Sequence, residues 1–154
     1  MNEEKLLKEA LRLFPDNLRP LHFTNYLHCE ECKDHDDVLS AHTRESITYK
    51  ELGNAVWDPI AFINEKGFKY YFPALVRLAL YGKDEEYYID QLLFHLNENK
   101  NCNLFNKEES LFVINLLSFL KDNRYNEIEL NMDLEELEKA LLLWKRKRTH
   151  RGRP

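Results

Sequence analysis

At 154 residues the chain has the length of one ordinary domain, and 44% hydrophobic with 32% charged residues excludes a mainly disordered state. Four Gly and five Pro exclude collagen-like or linker-rich chains and disfavour a turn-dense all-β fold, and three Cys are too few for a disulfide-framed scaffold. The net charge is −5, yet the ten residues from Lys145 to Pro154 hold six basic groups and no acidic one, so removing those six leaves −11 on the first 144 residues.

An acidic body repels nucleic acid and anionic membranes over most of its surface. The start, Met1-Asn2-Glu3-Glu4-Lys5, lacks the apolar stretch of a secretory signal. Leu111-Phe112-Val113-Ile114 is far shorter than the roughly 20 residues that span a bilayer. These features predict a cytoplasmic chain with reduced thiols.

The first helix is predicted over Asn2 to Phe14, with Leu7, Ala10, Leu11 and Phe14 at helical spacing and Pro15 as its stop. A second is predicted after Pro20 through Phe23, Tyr26 and Leu27, continuing into the polar stretch with His28, Cys29, Cys32 and His35. Ser46 to Trp57 reads as a short helix or an irregular stretch, interrupted by Gly53. From Pro59 to Gly82 the chain is densely aromatic. Pro73 has no amide proton and restricts Phe72, which predicts a break or kink there, with Gly82 closing the helix.

Asp84 is the predicted cap of the next helix, which carries Tyr88, Leu92 and Leu96 on one face. The Asn-rich NENKNCN reads as a loop. Asn106 and Glu109 have capping-box spacing before a helix over about Glu108 to Leu120, apolar on most sides and predicted to be the most buried. Asp133 and Glu136 repeat the cap spacing, and Leu134, Leu137, Leu141 and Trp144 form the last stripe. No strand alternation stands out. The prediction is an all-α, single-domain bundle of six or seven helices over residues 1–144, with a basic C-terminal tail over 145–154.

Zinc takes thiolates and neutral imidazoles, usually four in a tetrahedron. Cys29-x-x-Cys32 supplies two such ligands, and His28 and His35 are the candidates for the others, with His22 as an alternative. On a continuous helix His28, Cys32 and His35 share a face while Cys29 lies about 100° away, so a site using all four needs the helix to begin or bend there. Only one Cys pair is present, which favours plain helix residues over zinc.

A redox dithiol is disfavoured by Glu30, Glu31, Asp34, Asp36 and Asp37, whose charges raise thiol pKa values. His35-Asp36 invites comparison with helical metal-dependent phosphohydrolases, with His28 and Asp58 or Asp90 as further ligands, but its surroundings are very polar. There is no phosphate-binding Gly loop, H-E-x-x-H or G-x-S-x-G motif. Tyr70, Tyr71 and Phe72 suit core packing better than a ligand pocket, since no charge or Gly loop converges on them.

HCEEC at His28 to Cys32, followed by GFKYYFPALV at Gly67 to Val76, resembles an uncharacterised bacterial family of small proteins that pairs H-C-x-E-C with a later F-x-Y-Y-x-P-A segment. The resemblance covers roughly residues 15 to 80. It marks His28, Cys29, Glu31, Cys32, Phe68, Tyr70, Tyr71, Pro73 and Ala74, and implies a recurring domain without implying an activity.

The preferred function is a non-catalytic cytoplasmic protein acting through protein–protein contacts, as a regulatory or immunity-type binder, with no catalytic residue and no obligatory cofactor. The alternative is a zinc-dependent enzyme or zinc-binding protein using the segment from His22 to His35. A second alternative is a nucleic-acid binder working through Lys145 to Pro154.

Overall fold

The computed structural model describes the backbone of residues 1–151 and the side chains of residues 1–147. The chain is all-α, and no strand occurs among the described residues. Among the described residues six helices have eight or more residues: α1 (Glu3–Leu13), α2 (Glu30–Ala41), α4 (Glu65–Tyr81), α5 (Ile89–Leu96), α7 (Lys107–Asn123) and α9 (Leu134–Arg151). The short helices α3 (Tyr49–Leu52), α6 (Asn99–Cys102) and α8 (Tyr125–Leu130) raise the number above the predicted six or seven. They are single turns or little more, below the length at which apolar periodicity is readable.

Five of the long helices close a ring. α4 packs on α1 and α5, α1 on α7, α7 on α9, and α9 on α5. Aromatic rings fill its centre: Phe105 meets Phe14, Phe68, Phe72 and Trp144 at centroid distances of 5.0–5.9 Å. The α1 stripe is Leu6, Ala10 and Phe14, one position round from the predicted line, and Leu11 is exposed. Val113 and Leu117 are fully buried as predicted, but α4 is the most enclosed helix, with twelve buried residues against nine on α7.

Helix α4 also runs unbroken through Pro73, contrary to the predicted break. Pro73 offers no N–H to the Lys69 carbonyl, but buried apolar residues on both sides of it pack in the same core, and that packing outweighs one lost hydrogen bond. Gly82 ends the helix where a Cβ would run into the carbonyls of Leu78 and Glu86.

The capping box at Asn106 and Glu109 is present in both directions, at 2.9 and 2.8 Å. Asp84 is not the cap of α5; it sits at φ 56 in a 3-10 turn, and α5 starts after Tyr88. The NENKNCN segment is not all loop, since α6 turns there and buries Asn101 and Cys102.

α9 continues through the predicted start of the basic tail. Lys147 is buried, and its Nζ donates to the Phe105 carbonyl at 2.8 Å and to Ser110 Oγ at 3.2 Å. The side chains of the rest of that tail, from residue 148 on, lie outside the described residues. No helix among the described residues is long and apolar enough to cross a membrane.

Candidate metal and thiol site

Residues 19–29 are not the predicted helix; the chain here is irregular, and α2 begins only at Glu30. One carboxylate accounts for much of this. Asp36, buried on α2, reaches back so that Oδ1 accepts the amides of Phe23 at 2.6 Å and Thr24 at 3.3 Å, while Oδ2 pairs with His22 Nδ1 at 2.8 Å. Thr24 Oγ1 donates to the Cys32 carbonyl at 2.6 Å. From the other side Asn64 donates its backbone N–H to Phe23 O and its side-chain amide to His22 O, both at 2.7 Å. Burial by itself raises the Asp36 carboxyl, but His22 and the two amides outweigh it and hold the group below the usual carboxylate range.

This clamp decides where the helix starts and therefore which ligands meet. Cys29 becomes the N-cap of α2, with extended backbone, and Cys32 sits in its first turn. Their sulfurs lie 3.2 Å apart, the Cys32 amide donates to Cys29 Sγ at 3.4 Å, and His28 Nδ1 is 3.8 Å from Cys32 Sγ. The ligand atoms of His28, Cys29 and Cys32 all lie within 4.8 Å of one another. Both thiols are free; Cys29 is exposed and Cys32 is buried.

The remaining candidates go elsewhere. His35 lies on α2 but turns inward, fully buried between Phe62 at 4.8 Å and Trp57 at 4.6 Å, with Glu31 Oε1 3.5 Å from its Nε2. His22 is taken by Asp36 and stacks on Tyr26 at 3.8 Å. The helix therefore begins where a Cys29-containing site requires it, and the price is that His28 joins without His35.

The thiol electrostatics depart from the prediction at Cys29 and follow it at Cys32. Cys29 is lowered to about 7, first by the Cys32 amide, then by the Cys32 thiol and His28. Cys32 is raised, first by donating to Cys29, then by burial, then by the charges of Cys29 and Glu31. A thiolate at an N-cap faces unpaired amides at the positive end of the helix dipole, a closer influence than the surrounding carboxylates.

Sequence reasoning missed a second polar cluster. Asp58 Oδ2 meets His95 Nε2 at 2.7 Å and accepts from Gln91 Nε2 at 3.1 Å, all three residues buried. Asp58 is thus committed to α5 and stands in no cluster with His28, and Asp36 is committed to the 19–29 segment, so the phosphohydrolase-like set is not assembled. Thirty-seven residues separate Asp58 from His95, and no local spacing signals such a pair.

Five surface clefts of about 180–360 Å³ include none of His28, Cys29 or Cys32. Tyr70, Tyr71 and Phe72 are core residues; the Tyr71 hydroxyl donates to the Leu39 carbonyl at 2.5 Å and so ties α4 to α2. No family model, no curated protein and no solved structure matches the chain, and the resemblance carried by the HCEEC and FKYYFPA segments rests on those residues alone.

Proposed function

We propose that this chain is a non-catalytic helical protein that acts through protein contacts and holds a soft divalent cation of the zinc class with His28, Cys29 and Cys32. One observation carries the metal reading: three soft or borderline donors converge within 4.8 Å on a short, clamped stretch of chain. A tetrahedral zinc with bonds of about 2.3 Å to sulfur and 2.0 Å to nitrogen has ligand-to-ligand edges of roughly 3.5–3.8 Å. The sulfur pair at 3.2 Å and the Cys32–His28 pair at 3.8 Å need only small rotations to reach those edges.

Among the described residues these three would leave one corner of a tetrahedral ion for a water or a further donor. Contact is supported by Leu21 and Leu27, which are 88% and 81% exposed in the segment leading into the site. Nucleic-acid binding is the weaker alternative, since Lys147 of the basic run is turned into the core.

The test is metal analysis of protein purified without chelators, with each ligand replaced in turn. One zinc per chain is expected, lost in Cys29→Ser and Cys32→Ser and weakened in His28→Ala, but kept in Cys102→Ser and His22→Ala. A wild-type protein that takes up no zinc from a metal buffer overturns the metal reading.

A further inference from the structure

We propose that Cys29 and Cys32 are also a reversible thiol–disulfide couple, oxidised by peroxides, and that closing the disulfide expels the cation. The second half of this rests on the metal reading above; the first does not. Its basis is placement. The two sulfurs are 3.2 Å apart, so roughly 1.2 Å of approach, available from side-chain rotation, brings them to a disulfide bond length of about 2.05 Å. Cys29 is exposed and Cys32 is buried, which orders the events. Thr24 holds the Cys32 carbonyl and Asp36 holds the 23–24 amides, so the partners are kept at this separation while α2 stays intact.

In the first step the Cys29 sulfur attacks one peroxide oxygen. An S–O bond forms, the O–O bond breaks, and the departing hydroxide takes a proton to leave as water, giving Cys29 sulfenic acid. In the second step the Cys32 sulfur attacks the Cys29 sulfur. The S–S bond forms, the S–O bond breaks, and hydroxide leaves as a second water with the proton that Cys32 gives up. Two thiols and one peroxide thus become one disulfide and two waters. Both sulfur ligands are consumed, and His28 by itself cannot retain a zinc ion. Cys102, buried on α6, is an internal control in the same chain.

The experiment treats the full chain with hydrogen peroxide, first stripped of metal and then loaded with zinc. In the stripped protein, thiols counted after unfolding should fall from three to one. Mass analysis should show a loss of about 2 Da and a Cys29–Cys32 crosslink that dithiothreitol reverses. Cys32→Ser, which keeps the Cys29 cap, should instead trap sulfenic acid at Cys29 for dimedone. Over-oxidation of Cys29 to sulfinic acid in the wild type without a crosslink, or retention of all three thiols, overturns the couple. In the loaded protein, zinc should pass to a chromogenic chelator in step with the loss of two thiols. Zinc retained after the crosslink has formed overturns the coupling and moves the metal to other ligands. A crosslink in a protein that never binds zinc supports the couple while removing the metal reading.

Discussion

Cys29 shows how one backbone decision changes the chemistry of a side chain. Inside a helix, the neighbouring amides would already be bonded to carbonyls one turn back; at the N-cap its sulfur accepts the free Cys32 amide and is lowered to about 7. In the metal-free protein the rate of alkylation by iodoacetamide should therefore rise with pH through a midpoint near 7, with Cys29 the residue modified and Cys32 lagging at every pH. A midpoint at the ordinary thiol value of about 8.5 would contradict the cap assignment. Asp36 supports a second prediction at this scale. Asp36→Ala leaves the buried amides of Phe23 and Thr24 without their acceptor, at about 1–3 kcal/mol for each unpaired donor. Because the folded carboxyl is held below its unfolded value, its contribution is complete above about pH 4 and is lost as pH falls through the folded value. The stability gap between wild type and Asp36→Ala, read by urea unfolding, should therefore be constant at neutral pH and shrink in acid.

Among the elements, α4 is where local preference and tertiary packing disagree most openly. A proline in a helix interior costs about 3 kcal/mol, yet α4 continues for two turns past Pro73, lined by Leu75, Val76, Leu78, Ala79 and Leu80. Pro73→Ala should restore an N–H for the Lys69 carbonyl and lose about two buried methylenes, worth roughly 0.8 kcal/mol each. The expected outcome is a melting temperature equal to or slightly above wild type. A loss larger than about 1 kcal/mol would mean that the ring has a packing role beyond its area. α2 stands outside the ring of five helices; it buries Leu39 in the core and is further held by side-chain ties: Asp36 and Thr24 to the preceding segment, Tyr71 to the Leu39 carbonyl, and Arg19 to the carbonyls of Ser40 and His42. It is the element whose stability a metal ion would most directly raise.

At the scale of the molecule, metal binding and folding should be linked. If the cation binds only the folded chain, free zinc at a hundred times its dissociation constant adds about 2.7 kcal/mol. For a chain of this length that corresponds to roughly 5–10 °C in melting temperature. The shift should be reversed by a chelator and absent in Cys29→Ser. An equal shift in that variant would place the ion elsewhere. The charge distribution belongs to the same scale: the cationic run begins on the last turns of α9, and Lys147 spends its charge on the Phe105 carbonyl and Ser110 inside the fold.

The sequence by itself determined the all-α class, because apolar residues recur at helical spacing in most of the long segments and no segment alternates like a strand. It also determined the start of α7, where Asn106 and Glu109 satisfy each other's amides within four residues, and the closeness of Cys29 and Cys32, which lie within one turn whatever precedes them. These are short-range properties, set by backbone geometry and by neighbours along the chain. Only the tertiary structure decided that α2 begins at Glu30, since the reason is a carboxylate twelve and thirteen residues away from the amides it binds. It likewise decided that His28 joins the cysteines while His35 enters an aromatic wall of Trp57 and Phe62, that α4 passes through Pro73, and that Asp58 pairs with His95. Each of these outcomes depends on burial against groups distant in sequence, where the gain from packing or from satisfying a buried charge exceeds the few tenths to few kcal/mol that local preference contributes.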